Sequence, residues 1–285
     1  MKADLFTLGA IFLWASLASL ATLLSDIPPF LLTGVGLIIG AVVSLPSLRS
    51  GLKPWKIPVK TLFIGVYGLF GYHFMLFLAL QTAPAVEANL VNYLWPLLIV
   101  LLSPIFTKSL SLNFRYVLAA VAGFAGAVLA ITSNSSGFSF ASIELGYLFA
   151  LAAAVIWATY SLATTKVPFF PTPAIGLFAL VSGVLAIGAH FIFEPAASIS
   201  TTDWLLLLVL GVGPLGGAFY LWDAALKIGD PRRIGLLAFL TPLLSTVLLV
   251  LVSGDSMSWQ LLLATALIVG GALLGPRASS GSKTN

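Results

Sequence analysis

Residues 65–98 read GVYGLFGYHFMLFLALQTAPAVEANLVNYLWPLL, and they set several neutral polar groups that could bind a solute close together in an apolar chain. Tyr72 and His73 adjoin. Asn89, Asn92 and Pro96 stand at i, i+3 and i+7, one stripe of a helix, with Tyr93 and Trp95 beside it. These are neutral hydrogen-bonding groups and π faces. They are not the parts of a hydrolytic centre: the two histidines, His73 and His190, fall in different apolar runs, with no HExxH and no acid pair at usable spacing. Cysteine is absent, which excludes disulfides and thiolate metal sites. No metal, cofactor or catalytic residue is expected. His73 could line a cavity, relay a proton or make one structural hydrogen bond, and the amides of Asn89 and Asn92 could face a solute or hold helices together.

Tryptophan depth adds to this. Trp14, Trp95 and Trp157 fall near the middle of apolar runs, where an indole N–H needs a partner or a wet cavity. Three at similar depth predict a shared aromatic chamber, and Tyr160 is assigned to it with them. Trp55, Trp204 and Trp259 fall at run ends and Trp222 toward one, as interfacial belts require. The middle third of the runs holds no Asp, Lys or Arg, residues that cost about 2.5–3.5 kcal/mol there on insertion scales, and no other carboxylate. A proton relay therefore lacks its usual carboxylate, and phosphate-bearing solutes lack a base. A neutral, aromatic chamber suits zwitterionic or amphipathic solutes, and organic cations by cation–π contact.

The elements that carry these groups must lie in lipid. The 285 residues are 60% apolar and 8% charged, with mean hydropathy +1.10, whereas a soluble domain is about 25% charged. Backbone groups in hydrocarbon must pair within the chain, and apolar runs near twenty residues select helices over barrel strands. Ten windows emerge: 5–24, 29–48, 59–80, 85–106, 114–132, 142–165, 173–193, 204–226, 232–252 and 258–275. All 13 Lys and Arg fall on one side of that arrangement. Asp26, Glu87, Glu144, Glu194, Asp203 and Asp255 collect on the other. The positive-inside rule then puts both termini in the cytoplasm, with the first run a retained span rather than a signal peptide. The basic pI is a matter of topology, so no nucleic-acid partner is expected.

Residues 65–98 align without gaps on 211–244, GVGPLGGAFYLWDAALKIGDPRRIGLLAFLTPLL, with eleven of thirty-four positions identical. Trp14-Ala-Ser echoes in Trp157-Ala-Thr. Two five-helix halves follow, 1–137 and 138–276, and an odd number of spans turns the second half upside down. Glu87 aligning with Arg233 fits that reversal. The expected fold is all-α and integral to the membrane: ten helices in two inverted repeats around a central cavity, with alternating access by rocking. Pro96 and Pro242 occupy matched frames and are assigned as hinges. Glycines at Gly34-x-Gly36-x-x-x-Gly40, Gly123-x-x-Gly126 and Gly270-Gly271 are assigned to close helix packing. Residues 277–285 have linker-like composition and are expected to be disordered.

The ten runs, the paired halves and the Ala79-Leu80…Pro96-Leu97 and Ala225-Leu226…Pro242-Leu243 patterns resemble the EamA branch of the drug/metabolite transporter superfamily. Within it, Gly71-Tyr72-His73, Asn92-Tyr93-Leu94-Trp95-Pro96 and Trp157 are similar to the YddG-type amino-acid exporters of bacterial inner membranes. The resemblance implies an inner-membrane secondary transporter exporting aromatic and other neutral amino acids, with tolerance for compounds such as methyl viologen. It also implies that Tyr72, His73, Trp95 and Trp157 line the cavity. Facilitated diffusion is the expected mode and a monomer the expected state. A proton-driven multidrug efflux pump is the alternative, and an integral-membrane enzyme acting on a lipid-linked substrate a remote one.

Overall fold

A computed structural model describes residues 1–49, 51–108, 110–133, 145–253 and 258–274. The expectations for Glu144, Asp255, the start of the sixth window and the tail 277–285 lie outside the described residues. Fifteen α-helices occupy the described chain: α1 (Lys2–Ala15), α2 (Leu17–Leu23), α3 (Pro29–Val42), α4 (Val59–Val66), α5 (Tyr72–Thr82), α6 (Ala85–Asn92), α7 (Leu94–Phe106), α8 (Phe114–Thr132), α9 (Leu145–Ala163), α10 (Ile175–Phe193), α11 (Thr201–Val212), α12 (Ala218–Ile228), α13 (Pro231–Ala238), α14 (Leu240–Ser253) and α15 (Trp259–Leu274). Seven stretches among the described residues are long and apolar enough to cross a membrane, from Lys2–Leu23 to Thr201–Ile228. Pro29–Val42 and Trp259–Leu274 are shorter apolar helices. The chain is a multi-pass membrane protein.

Local chemistry marks several starts. Asn113 accepts from the Tyr116 N–H at 3.1 Å and caps α8. Ser200 and Asp203 form a reciprocal capping box on α11. Asp230 caps α13, whose first residue is Pro231, a position where the missing N–H costs nothing. A longer-range cap starts α3: Glu194, at the end of α10, accepts from the N–H groups of Phe30 at 2.7 Å and Leu31 at 3.3 Å. His190 Nδ1 approaches the same carboxylate at 2.9 Å. The second window is shorter as helix than the sequence suggests, because α3 ends at Val42 and a 3-10 turn follows at Leu45–Leu48.

The helices break at matched places. A π-helical segment, Tyr67–Gly71, joins α4 to α5, and another, Gly213–Gly217, joins α11 to α12. Adding 146 to each residue number carries the first segment onto the second. The same offset carries α5 onto α12, α6 onto α13 and the start of α7 onto the start of α14. Pro96 and Pro242 explain the later breaks. Proline cannot donate to the carbonyl four residues back, here Asn92 and Ala238, and each helix is interrupted just beyond, at Tyr93 and Phe239.

Packing repeats the relationship with roles exchanged. α5 lies on α9 as α12 lies on α1; α3 packs on α10, and α8 on α15. The α3–α10 crossing is close because neither partner has a side chain at the contact: a Cβ on Gly34 would meet the Gly183 carbonyl, and one on Gly183 the Gly34 carbonyl. Gly36, Gly40, Gly123, Gly126 and Gly271 face neighbouring helices in the same way, whereas Gly270 faces open space. That one glycine departs from the packing expectation.

Candidate functional site: a neutral cavity floored by indoles

The break at Tyr93 turns α7 so that Trp95 points inward; α1 and α9 bring Trp14 and Trp157 to meet it. Trp14 lies 5.7 Å from Trp157 and 6.4 Å from Trp95, ring centroid to centroid, in edge-on arrangements. Trp95 and Trp157 are 6.3 Å apart. Such geometry places a positive ring edge on a negative face, worth about 0.5–1.5 kcal/mol per pair beyond burial. Above these rings opens a cavity of about 510 Å³.

Tyr72, His73, Asn89, Asn92, Tyr93, Trp95, Trp157 and Trp14, all singled out in the sequence, line it together. Among the described residues its lining contains no Asp, Glu, Lys or Arg. His73 donates from Nδ1 to the Leu69 carbonyl at 2.6 Å, within the π-helical segment. Its ring stands edge-on to Tyr72 at 5.1 Å and to Phe219 at 6.2 Å. Asn92 Nδ2 donates to the Tyr72 hydroxyl oxygen at 3.2 Å. That bond leaves the Tyr72 O–H free to donate elsewhere, and Asn92 Oδ1 has no hydrogen-bond partner. Thr241, on the opposite wall, also keeps a buried hydroxyl without one.

Two assignments change, those of Tyr160 and Trp222. Tyr160 does not line the cavity. Three residues beyond Trp157 on α9, it turns to the adjoining face, stacks behind that indole at 5.3 Å and covers Gly68. Pro242 lines the cavity but Pro96 does not; the Pro96 carbonyl faces Gly235 of α13. Trp222, expected in an interfacial belt, is instead 1% exposed. α12 follows the π-helical segment Gly213–Gly217, and its Trp222 is the fourth member of the indole cluster, 5.2 Å from Trp14 and 5.7 Å from Trp95. Trp204 and Trp259, by contrast, are exposed as expected. Phe219 of α12 and Thr241, Ser245 and Thr246 of α14 also line the cavity and were not singled out. The repeat offset could have found Trp222 and Phe219, since their counterparts Leu76 and His73 both line the wall.

The cavity is lopsided. Its lining runs from the indoles to Ala21, Leu80 and Ala85, toward the helix ends that carry Glu87 and Glu194. The other end is closed by the four rings and, beyond them, by ion pairs. Arg233 binds Asp4 at 2.7 Å, tying α13 to α1. Arg232 binds Asp230 at 2.6 Å and donates to the Ser111 carbonyl, also at 2.6 Å. Its guanidinium covers the Tyr116 ring at 4.3 Å. Lys227 binds Asp223 at 2.5 Å. A chamber of this kind can hold a neutral or zwitterionic solute against π faces, with access from one end.

Comparison with known proteins agrees with this architecture. The profile of the EamA-like transporter family matches residues 1–132 and 144–275. The chain is 42% identical over 279 residues to the aromatic amino acid exporter YddG of Ancylobacter novellus, covering 95% of this chain and 96% of that one. It is 26% identical over 290 residues to the aromatic amino acid exporter YddG of Escherichia coli K12, covering 96% of each. A probable amino-acid metabolite efflux pump of Salmonella typhimurium shares 27% over 266 residues, 87% of this chain and 85% of that protein. A solved crystal structure superimposes with a TM-score of 0.90 at 42% identity, covering 95% of both chains.

Proposed function

The chain belongs to the EamA-like transporter family, and from that premise we propose that it exports aromatic and other neutral amino acids across the inner membrane by alternating access. It is a transporter and not an enzyme. The observation that carries the proposal is the uncharged cavity lined by the indoles of Trp14, Trp95 and Trp157, with Trp222 packed against them from outside the lining. An amino-acid side chain rests on the indoles. The Tyr72 O–H donates to the α-carboxylate and Asn92 Oδ1 accepts from the α-ammonium, the two being held adjacent by their own 3.2 Å bond.

Ten spans in two inverted halves, 1–137 and 138–276, make the scaffold. The constant offset between helix breaks and the exchanged packing partners support that reading. Both termini are cytoplasmic, because the basic connections share one side. The cavity then opens outward, and the cluster of four indoles beneath it is the closed inner gate. Rocking of the halves about the Tyr93 and Phe239 breaks reverses this. A single chain suffices.

The test is flux of labelled L-phenylalanine from proteoliposomes containing the purified protein, with and without an imposed pH gradient. Efflux above protein-free liposomes, with an unchanged initial rate under the gradient, is expected. No protein-dependent efflux overturns amino-acid export; strong dependence on the gradient replaces facilitation with a proton-driven pump.

A further inference from the structure

A shift of 146 residues pairs Trp95 with Thr241 and Ile99 with Ser245, and a shift of 143 pairs Trp14 with Trp157. The helices that carry them pack alike: α7 lies on α9, and α14 lies on α1. In the first pairing the Trp95 ring stands 6.3 Å from Trp157 and Ile99 is fully buried. In the second, the place of the largest side chain is taken by a small one. Thr241 and Ser245, one turn apart on one face of α14, both line the main cavity.

The burial of the indoles follows this difference. Trp157, with Trp95 against it, is 3% exposed, and Trp95 and Trp222 are buried as well. Trp14, whose neighbouring helix offers threonine instead of an indole, is the one member of the four left half-buried. Its open side faces the cavity, which it lines, because Leu5, Leu8 and Phe12 on the opposite side of α1 are the residues exposed outward. Leu17 and Ala21 of α2, which also packs on α14, continue the wall beyond Trp14.

From this geometry we infer that the notch between Trp14 and the Thr241–Ser245 face of α14 is the subsite for an aromatic side chain, and that Thr241 sets the specificity by being small. The ring of the cargo takes the position against Trp14 that Trp95 takes against Trp157. This rests on the amino-acid export reading above and names the part of the cavity that selects the ring. Burial of apolar surface and edge-on ring contact both favour a ring over an aliphatic chain there. Tyr72 and Asn92 belong to α5 and α6, so the α-groups and the ring are held by different helices.

Stability gives no reason for threonine at this place. Among the described residues Thr241 Oγ1 has no hydrogen-bond partner, and an unpaired buried hydroxyl is a cost. Valine would keep the shape without that cost, and a bulky apolar residue would bury Trp14 as Trp95 buries Trp157. Room beside an open indole is what the small side chain leaves.

Uptake of labelled L-phenylalanine into proteoliposomes is measured for the wild type, Thr241→Val and Thr241→Trp. With the notch filled, Thr241→Trp should lower the ratio of initial rate to half-saturating concentration by about tenfold or more. Thr241→Val keeps the notch and should stay within about twofold of wild type. A second measurement decides the matter even where the bulky variant fails to fold. The chain has no cysteine, so Ser245→Cys places a single thiol in the notch. Its reaction with a water-soluble maleimide should be slowed severalfold by L-phenylalanine and L-tryptophan, and not by L-alanine at the same concentration. Wild-type uptake in a folded Thr241→Trp, equal losses in the Val and Trp variants, or equal protection by alanine and phenylalanine overturns the subsite while leaving export standing. Labelling that phenylalanine does not slow, in a chain that still carries it, does the same. Wild-type proteoliposomes that take up no phenylalanine overturn the export reading and the subsite with it.

Discussion

Trp222 donates from Nε1 to Ser161 Oγ at 3.0 Å, a buried bond between α12 and α9 that fixes the fourth indole of the cavity floor. An indole N–H at that depth has no water to turn to. Ser161→Ala leaves it unpaired, at a cost of about 1–3 kcal/mol. Thermal unfolding in detergent, followed by near-ultraviolet circular dichroism, should show a lower midpoint; an unchanged midpoint would mean that the indole finds another acceptor.

Trp95 and Trp157 both line the cavity and pack edge-on to each other at 6.3 Å. Trp95→Ala and Trp157→Ala remove both the bed for an aromatic side chain and several ring contacts of about 0.5–1.5 kcal/mol each. Phenylalanine and tryptophan transport should fall by about tenfold or more in each variant, with membrane insertion intact, whereas the matching Phe variants should keep most of it. Normal transport by both Ala variants would remove the floor from the substrate path.

Pro96→Ala and Pro242→Ala restore a backbone donor opposite the Asn92 and Ala238 carbonyls, and so stiffen the breaks at Tyr93 and Phe239. Interchange between the two access states should slow. The chain has no cysteine, so a single introduced cysteine at Thr246 in the cavity is the sole thiol, and its labelling rate with and without substrate reads the interchange. Identical rates in the proline variants would reject the hinge.

Gly68 and Gly270 make a matched pair of controls. A Cβ on Gly68 would run into the Tyr160 ring, whereas one on Gly270 meets nothing within 4 Å. Gly68→Ala should destabilise by about 1–3 kcal/mol through overpacking. Gly270→Ala should be neutral or slightly stabilising, since Ala is the better helix former. Equal midpoints for the two variants would mean that the π-helical segment yields freely.

Much of this molecule is legible in one dimension because membrane helices obey few rules. Apolar run length marks the spans, and a gapless repeat carries the breaks: residues 67 and 213, or 93 and 239, fall at the same frame in each copy. The polar wall at Tyr72, His73 and Asn92 was legible because such groups are expensive in lipid and few. Trp222 was misjudged because a count along the run gives a position but not the face, and its ring turns to Trp14, Trp95 and Trp157. Tyr160 was misjudged because its depth is right but its azimuth, three residues past Trp157, is wrong. The Glu194 cap on Phe30 and Leu31 bridges well over a hundred residues of chain, and no local signal announces it.

Among the described residues the lining of the main cavity holds no Asp, Glu, Lys or Arg, and this has an electrical consequence. A zwitterion has zero net valence, and a compartment with no fixed ions adds none when it reorients. The transmembrane voltage, worth about 2.3 kcal/mol per elementary charge per 100 mV, then has nothing to act on. Carriage of a zwitterion by the facilitated route proposed above is therefore electroneutral, and a cell's resting potential neither hastens nor hinders it.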